Sequence, residues 1–541
     1  MGFDLKQVRK EIMLFIVAGI LLFSGLDKIE VNIMEARNFI SAREMVVNKE
    51  FLLTTLNNEP RYQKPPLPTW MTALSGSIFK FDSLYGMRLP VVAITFLLLF
   101  AFFYFTKLIG LNPDHSFNTS LVLITSFFIF FAGRDNNWDM YTHSFMMISI
   151  FFMWKFLSED LHEVRNCVLS GLFLGLSFLC KGPVSLYVLM LPFILSYAIV
   201  YHFSFRKKIL LLLGIFAVGL AIGSSWYIYV FLKDPVNFRI ITGKETSNWT
   251  SYELKPFYYY WNFFIQTGLW TIPSVTSLIY PYLRKRVDNP KEYRFAVLWT
   301  LFSVLSLSIV PEKKARYLLP VLIPLALTTG FYIEYLIKEF NKNMGRKETI
   351  WTVFNFGILI LVGFAYPAIV IYLLKDGIKD FLILFISSTL IMYLLSWLMI
   401  RGFLQRNFRK VFYSSVGIFM IIVISIIPMR SHLYTNPGFA PAREVQSFEK
   451  RYNIKSYAIQ EIAPEIIWNL GKPVIMLKKK DDNLILPYEN RFGLVAAAGD
   501  SSVIRDLRIN FKIEKKYLID MNYDLKNKDR LKKDYYILTK Y

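Results

Sequence analysis

A few short stretches of this chain gather cations, carboxylates and tyrosines of the types that handle phosphate. Pro311-Glu312-Lys313-Lys314-Ala315-Arg316-Tyr317 sets three cations and a phenol within five residues. Lys64 sits in Tyr62-Gln63-Lys64-Pro65-Pro66-Leu67-Pro68, where three prolines fix φ and push each preceding residue to extended backbone. Charged hydrogen bonds from Lys64, Lys313, Lys314 and Arg316 are the chemistry for holding a phosphate. Glu35, in Met34–Val47, and Asp139, at the end of Gly133-Arg134-Asp135-Asn136-Asn137-Trp138-Asp139, are carboxylates suited to proton handling or to sugar hydroxyls.

Each of these has a plainer reading. Lys64 can reach lipid headgroups, Asp139 can serve a helix N-terminus, and Lys181 in Lys181-Gly182-Pro183 can complement a helix C-terminus. Phe257-Tyr258-Tyr259-Tyr260-Trp261 reads first as an aromatic belt at a membrane surface, and His143 as a packed histidine. The turn at 311–317 resists the plain reading, because it places cations on the side of the membrane where they are rare.

That statement depends on the elements around it. The chain has 541 residues, 54% hydrophobic and only 19% charged, with a net charge of +22. Mean hydropathy is +0.38. The apolar residues run in long blocks with lysine and arginine between them, so the positive charge points to a bilayer and not to nucleic acid. Cys167 and Cys180 share one apolar block, so no disulfide framework or cysteine metal site is implied. Blocks of about 20 apolar residues suggest about thirteen spans, near 11–27, 86–108, 119–133, 139–157, 166–180, 184–203, 208–232, 262–283, 294–310, 317–338, 350–374, 380–400 and 411–429. The first reads as a retained anchor, since Asp27-Lys28-Ile29-Glu30 follows it and no cleavage site does.

Basic loops set the orientation. Lys6, Arg9 and Lys10 place the N-terminus in the cytoplasm, and Arg206-Lys207-Lys208, Arg284-Lys285-Arg286, the cations of 338–347 and those of 401–410 fall on the same side. Outside then lie the 28–85 loop, 132–138, 233–261, 311–316 and a tail, 430–541. Two interfacial helices are expected in the first loop, Met34–Val47 and Thr69–Phe79. The tail reads as a small extracytoplasmic α/β domain with strands at Ser456–Ile459, Pro473–Leu477, Gly493–Ala498 and Lys516–Ile519. A helix at Pro464–Leu470 is capped by Gly471. The expected fold is mainly α and polytopic.

The chain resembles the GT-C glycosyltransferases of the protein-mannosyltransferase type, most closely the bacterial lipid A aminoarabinose transferases. The resemblance is carried by Glu35-Ala36-Arg37, Ala42-Arg43-Glu44-Met45, Lys64-Pro65-Pro66-Leu67, Asp139, Lys181-Gly182, Lys255-Pro256-Phe257-Tyr258-Tyr259-Tyr260 and Arg316-Tyr317-Leu318-Leu319-Pro320. It implies transfer of a sugar from a polyprenyl-phosphate donor to an acceptor on the outer face of a bacterial inner membrane. The acceptor it implies is lipid A or another cell-surface glycan. Lys64 matches the lysine that holds the carrier phosphate, and Tyr317 with its basic neighbours matches a region near that phosphate. Arg37, Arg134, Lys181, Lys244 (or Arg239) and Tyr259 are further candidates for substrate contact. Met34 stands where the family has an aspartate, and Gln63 where it has an acidic residue before Lys-Pro-Pro. No cofactor is therefore implied outright, and the divalent metal described for that branch lacks one of its expected ligands. The rival classes are a sister enzyme acting on protein or surface-glycan hydroxyls, and a lipid or sugar transporter. The transporter would call for inverted repeats and charges at the midplane, and neither is found.

Overall fold

The computed structural model describes residues 5–159, 161–202, 208–340, 344–432, 436–480, 483–499, 501–523 and 527–541. Arg206, Lys207 and Lys342, used above for orientation, lie outside the described residues. The chain divides into two compact units. One comprises residues 1–26, 62–68 and 88–429, and the other 27–61, 69–87 and 430–541.

The first unit is helical. Among the described residues, eight helices are long and apolar enough to cross a membrane: Leu84–Leu108, Glu163–Lys181, Ile209–Lys233, Pro290–Ile309, Ala315–Glu339, Glu348–Leu374, Gly377–Leu404 and Phe408–Met429. Leu361, Ile383 and Leu390 stand exposed on two of them, as lipid-facing side chains do. Other expected spans are less apolar, shorter or broken. The block 119–133 is two helices, Pro113–Ile124 and Phe127–Ala132. At the break, the Thr125 and Ser126 hydroxyls donate back to the carbonyls of Leu121 and Val122, a bond that competes with helix continuation. The block 262–283 is likewise a chain of short segments, Phe263–Trp270, Thr271–Ser277 and Tyr280–Leu283.

Two features of this unit position the site. Trp138–Ser158 and Glu163–Lys181 are similar in length and joined by a short connection, so they run as an antiparallel pair. The first residues of one therefore meet the last residues of the other. Glu163–Lys181 also packs closely on Ile209–Lys233. A Cβ added to Gly171 would come within 2.9 Å of the Ile215 carbonyl, and one added to Gly219 within 2.6 Å of Leu174. Gly175 and Gly223 complete a four-residue spacing of small residues on each helix, the pattern that lets membrane helices approach closely.

The second unit is built on a five-stranded mixed sheet in the order 475–476, 456–458, 491–497, 532–540, 511–520. Ser456–Ala458 pairs in parallel with both neighbours, and the remaining pairs are antiparallel. Side chains alternate across it: Phe492, Leu494 and Ala496 face one apolar cluster with Ile504 and Leu507, while Val495 faces the other with Ile466 and Leu470. The helix Pro464–Leu470 ends at Gly471 with φ 73°, a left-handed conformation that suits glycine.

The first-loop helix, Ile33–Asn48, corrects an expectation. An interfacial helix would leave one face to lipid, yet residues 35–36 and 38–45 here are buried, polar ones included. Ile40 enters the cluster beside Ile466, and the Phe39 ring lies 5.0 Å from Trp468. Protein and not lipid covers this helix. Asn57, at φ 57°, ties the same loop to the sheet. Its Nδ2 donates to the Val474 carbonyl (2.9 Å) and its Oδ1 accepts from the Val474 amide (2.7 Å).

Asn57→Ala removes both bonds and places alanine at a positive φ. It should destabilise this unit by about 1–3 kcal/mol and raise amide exchange in residues 33–61. Unchanged exchange there would show that the loop is held without Asn57.

Candidate active site

The antiparallel pair brings Asp139 and Lys181 together. Asn137 caps the helix by accepting from the Asp139 amide at 2.8 Å, which fixes Asp139 in the first turn. Lys181 ends the returning helix and makes a salt bridge and hydrogen bond to Asp139 Oδ1, both side chains being 7% exposed. Lys181 Nζ also lies 4.8 Å from the centre of the Tyr317 ring, within cation–π range. The charges of Arg316 and Lys64 act on Lys181 as well. One turn beyond Asp139, His143 Nδ1 is 3.0 Å from the Ser185 hydroxyl.

A second layer surrounds Tyr317. Its hydroxyl donates to Glu312 Oε1 (3.2 Å), which also accepts from Lys314 Nζ (2.5 Å). Arg316 lies 5.7 Å from the Tyr317 ring, and its Nε is buried without a hydrogen-bond partner. Lys314 Nζ stands 4.9 Å from the Tyr252 ring. Tyr260 is fully buried, and its hydroxyl accepts from the Lys314 amide (3.0 Å) and donates to the Lys314 carbonyl (3.1 Å). Backbone bonds run from Lys313 to Glu253 (3.0 Å) and from Lys255 to Pro311 (3.3 Å). The 253–255 segment thus pairs with the turn like a short strand and holds the cations in place.

Lys64 is one-quarter exposed, and its ammonium is 3.4 Å from Glu245 on the helix Pro235–Ser251. Two residues earlier, Tyr62 donates to Asp234 Oδ2 (2.8 Å). Hydrogen bonds from Asn237, and then that from Tyr62, hold the Asp234 carboxyl below its usual range.

Not every expected residue joins the cluster. Lys313 is buried, and its ammonium donates to the Val310 carbonyl (2.5 Å), although burial pulls its pKa down. Arg134 is also buried, and it donates to the Leu21 and Ser24 carbonyls at 2.6 Å each. It closes the C-terminus of the helix Leu5–Phe23 and packs on Phe130. Lys244 is exposed on its helix, and Tyr259 stands edge-on to Tyr260 at 5.1 Å. Glu35 and Arg37 belong to the other compact unit. There the Glu35 amide donates to Asn32 Oδ1 (3.2 Å), and Arg37 lies 4.0 Å from Met34 Sδ. The sequence alone does not single out Glu245, Glu312 or Tyr252, and it gives Tyr260 only within the aromatic stretch. Only Glu312 carried a usable signal, since it sits inside the basic turn it neutralises. Among the described residues, no three His, Cys, Asp or Glu side chains converge as a metal site.

The comparisons with known proteins point the same way as this geometry. A family described as dolichyl-phosphate-mannose-protein mannosyltransferase matches residues 63–229, which include Lys64, Asp139 and Lys181. The resemblance to GT-C glycosyltransferases of the protein-mannosyltransferase type is thereby borne out.

More particularly, the chain is similar to proteins named undecaprenyl phosphate-alpha-4-amino-4-deoxy-L-arabinose arabinosyl transferase. The one from Photorhabdus laumondii is 23% identical over 351 residues, 62% of this chain and 61% of that protein. Transferase 2 of Pseudomonas fluorescens is 22% identical over 464 residues, 82% of this chain and 80% of its own length. The fold is that of the crystal structure of ArnT from Cupriavidus metallidurans in the apo state, with a TM-score of 0.70 over 97% of each chain at 16% identity. The same protein bound to undecaprenyl phosphate gives 0.69.

The buried pair makes a sharp stability prediction. Lys181→Met strands a buried carboxylate and should cost about 3–5 kcal/mol, while the double change with Asp139→Asn should cost clearly less. Thermal unfolding of the four proteins in detergent gives the coupling. Purely additive losses would mean that the two charges do not depend on each other.

Proposed function

We propose that the protein is an integral-membrane glycosyltransferase that moves a sugar from a polyprenyl-phosphate carrier to a phosphate of lipid A or lipopolysaccharide. The observation that carries this reading is the clustering of Lys181, Arg316, Lys314 and Tyr317 around Asp139 and Glu312, in a chain similar to named undecaprenyl-phosphate-sugar transferases.

In this reaction an oxygen of the acceptor phosphate attacks the anomeric carbon of the donor sugar. The bond from that carbon to the carrier phosphate breaks, and polyprenyl phosphate leaves with the electron pair. Its charge grows through the transition state, so preorganised cations are the main assistance. Lys64, Lys314 and Arg316, with Tyr317, are assigned to that phosphate. Lys181, held by Asp139, sets the field beside them. An acceptor phosphate is already ionised and needs little base. A protein or glycan hydroxyl would need one, and Asp139 or Glu35 would then have to reach its proton. Asp139 is committed to Lys181, which favours the phosphate acceptor over the hydroxyl. Lys244 and Tyr259 are left for contacts to sugar or acceptor.

The proposed placement is the bacterial inner membrane, with the N-terminus in the cytoplasm and residues 430–541 in the periplasm. The thirteen crossings this needs would be the eight long apolar helices together with five less apolar, shorter or broken segments (5–23, 113–132, 138–158, 186–201, 263–283). A reporter active only in the cytoplasm, fused after Tyr541, should be silent. A strong signal would overturn the orientation.

The reaction itself is tested with purified protein, polyprenyl-phosphate sugar and lipid A, read by mass spectrometry. Lys64→Ala should lower transfer about 30- to 1,000-fold, equivalent to about 2–4 kcal/mol, without loss of folded protein. Lys64→Arg should recover only part, because a planar fork differs from a point charge. Near-normal turnover in Lys64→Ala would make this lysine a headgroup anchor. A product seen only with protein or neutral glycan acceptors would move the enzyme to the sister class.

A further inference from the structure

The second unit contains a cavity of about 1100 Å³ whose wall comes wholly from the first loop and from residues 430–531. Binding sites for drug-sized ligands run to about 300–1,000 Å³, so the space exceeds what a bare ion needs.

Its charges do not balance. Arg430 pairs with Glu30 (3.1 Å), and Arg530 pairs bidentately with Glu465 (2.8 and 2.7 Å). Asp27 takes Lys28. Arg43, Arg443 and Lys528 also line the cavity and make no salt bridge among the described residues, leaving three cations there against Asp82. Arg43 is only 7% exposed, and one of its guanidinium nitrogens is buried without a hydrogen-bond partner. Burial pulls its pKa below the usual arginine value, and the neighbouring charge of Glu44 opposes this only in part. That nitrogen has almost no surface of its own, so a ligand in the cavity would meet Arg43 through the small part of the side chain that stays exposed. Trp468 lines the same cavity, partly buried, with its ring braced against Phe39. A braced aromatic face offers the apolar side of a sugar ring a surface to stack on.

We propose that this cavity binds a phosphorylated saccharide, with Arg43, Arg443 and Lys528 on the phosphate and Trp468 beneath the sugar ring. The inference deepens the function proposed above, and rests on it only for the origin of the ligand, since lipid A is itself a phosphosaccharide.

Titration calorimetry of the full-length protein in detergent, with glucosamine 1-phosphate and no donor, tests it. Saturable binding is expected, about tenfold or more weaker in Arg43→Gln and Arg443→Gln, and similarly weaker for inorganic phosphate or unphosphorylated glucosamine. Arg443 is exposed, so its variant keeps the fold and decides the matter if Arg43→Gln does not accumulate. No saturable binding, equal binding of inorganic phosphate, or unchanged affinity in the arginine variants would each overturn the proposal. Competition by vesicles carrying a phosphorylated glycolipid would identify a headgroup as the ligand, and binding that resists such vesicles would identify a soluble sugar phosphate. Either supports the site. A protein that binds the phosphosugar but transfers nothing would sink the enzymatic reading alone. One that transfers normally without binding it would sink this inference alone.

Discussion

The salt bridge between Asp139 and Lys181 is the constraint on which the helical unit's site depends. Two charges that are 7% exposed are tolerated only when each answers the other. Their meeting requires Trp138–Ser158 and Glu163–Lys181 to return to one level. It also requires Asn137 to start the first helix at that place, and Gly182, at φ 77°, to let the chain turn away after Lys181. The close glycine seam against Ile209–Lys233 then fixes the depth at which Lys181 ends. A backbone arrangement spread over nearly a hundred residues is thus read out at one ion pair.

The turn at 311–317 depends on a different device. A basic turn by itself repels its own charges. Here Glu312 sits between Lys314 and Tyr317, and a strand-like segment at 253–255 grips the backbone. Tyr260 adds two bonds to a single residue, Lys314. The aromatic stretch read as a membrane belt therefore splits by role. Tyr258 and Trp261 stay exposed, while Tyr260 is an internal brace for the cations.

What was legible in the sequence follows from range. Apolar blocks and the glycine stop after Leu470 are local signals, and eight of the blocks and that stop stand where expected. The edge strand Phe511–Asp520 was found only at its end, and the inner strand Lys532–Lys540 was missed altogether. Charged residues at both ends of Lys532–Lys540 hide the alternation of Tyr535, Ile537 and Thr539. The first-loop helix was misplaced for a related reason. Its amphipathic pattern tells which residues seek cover, and not whether lipid or Ile466 and Trp468 will supply it. Glu245 gave no local sign at all, because its partner Lys64 lies 181 positions away.

That last pairing changes how the candidate phosphate site works. Lys64, Lys181 and Lys314 each already face a carboxylate: Glu245, Asp139 and Glu312. None is a bare cation waiting for an anion, so under the proposed function a phosphate would enter by exchange. The three pairs differ in how readily they can exchange. Lys64 and Glu245 are 24% and 40% exposed and 3.4 Å apart, a geometry whose strength is about 0–1 kcal/mol. A phosphate, with more charge and more acceptor oxygens than a carboxylate, competes well for such a lysine. The Asp139–Lys181 pair is too deeply buried to open at comparable cost. Under the proposed function, Lys64 is therefore the cation that changes partners, and Lys181 the one that stays to hold the field in which the change occurs.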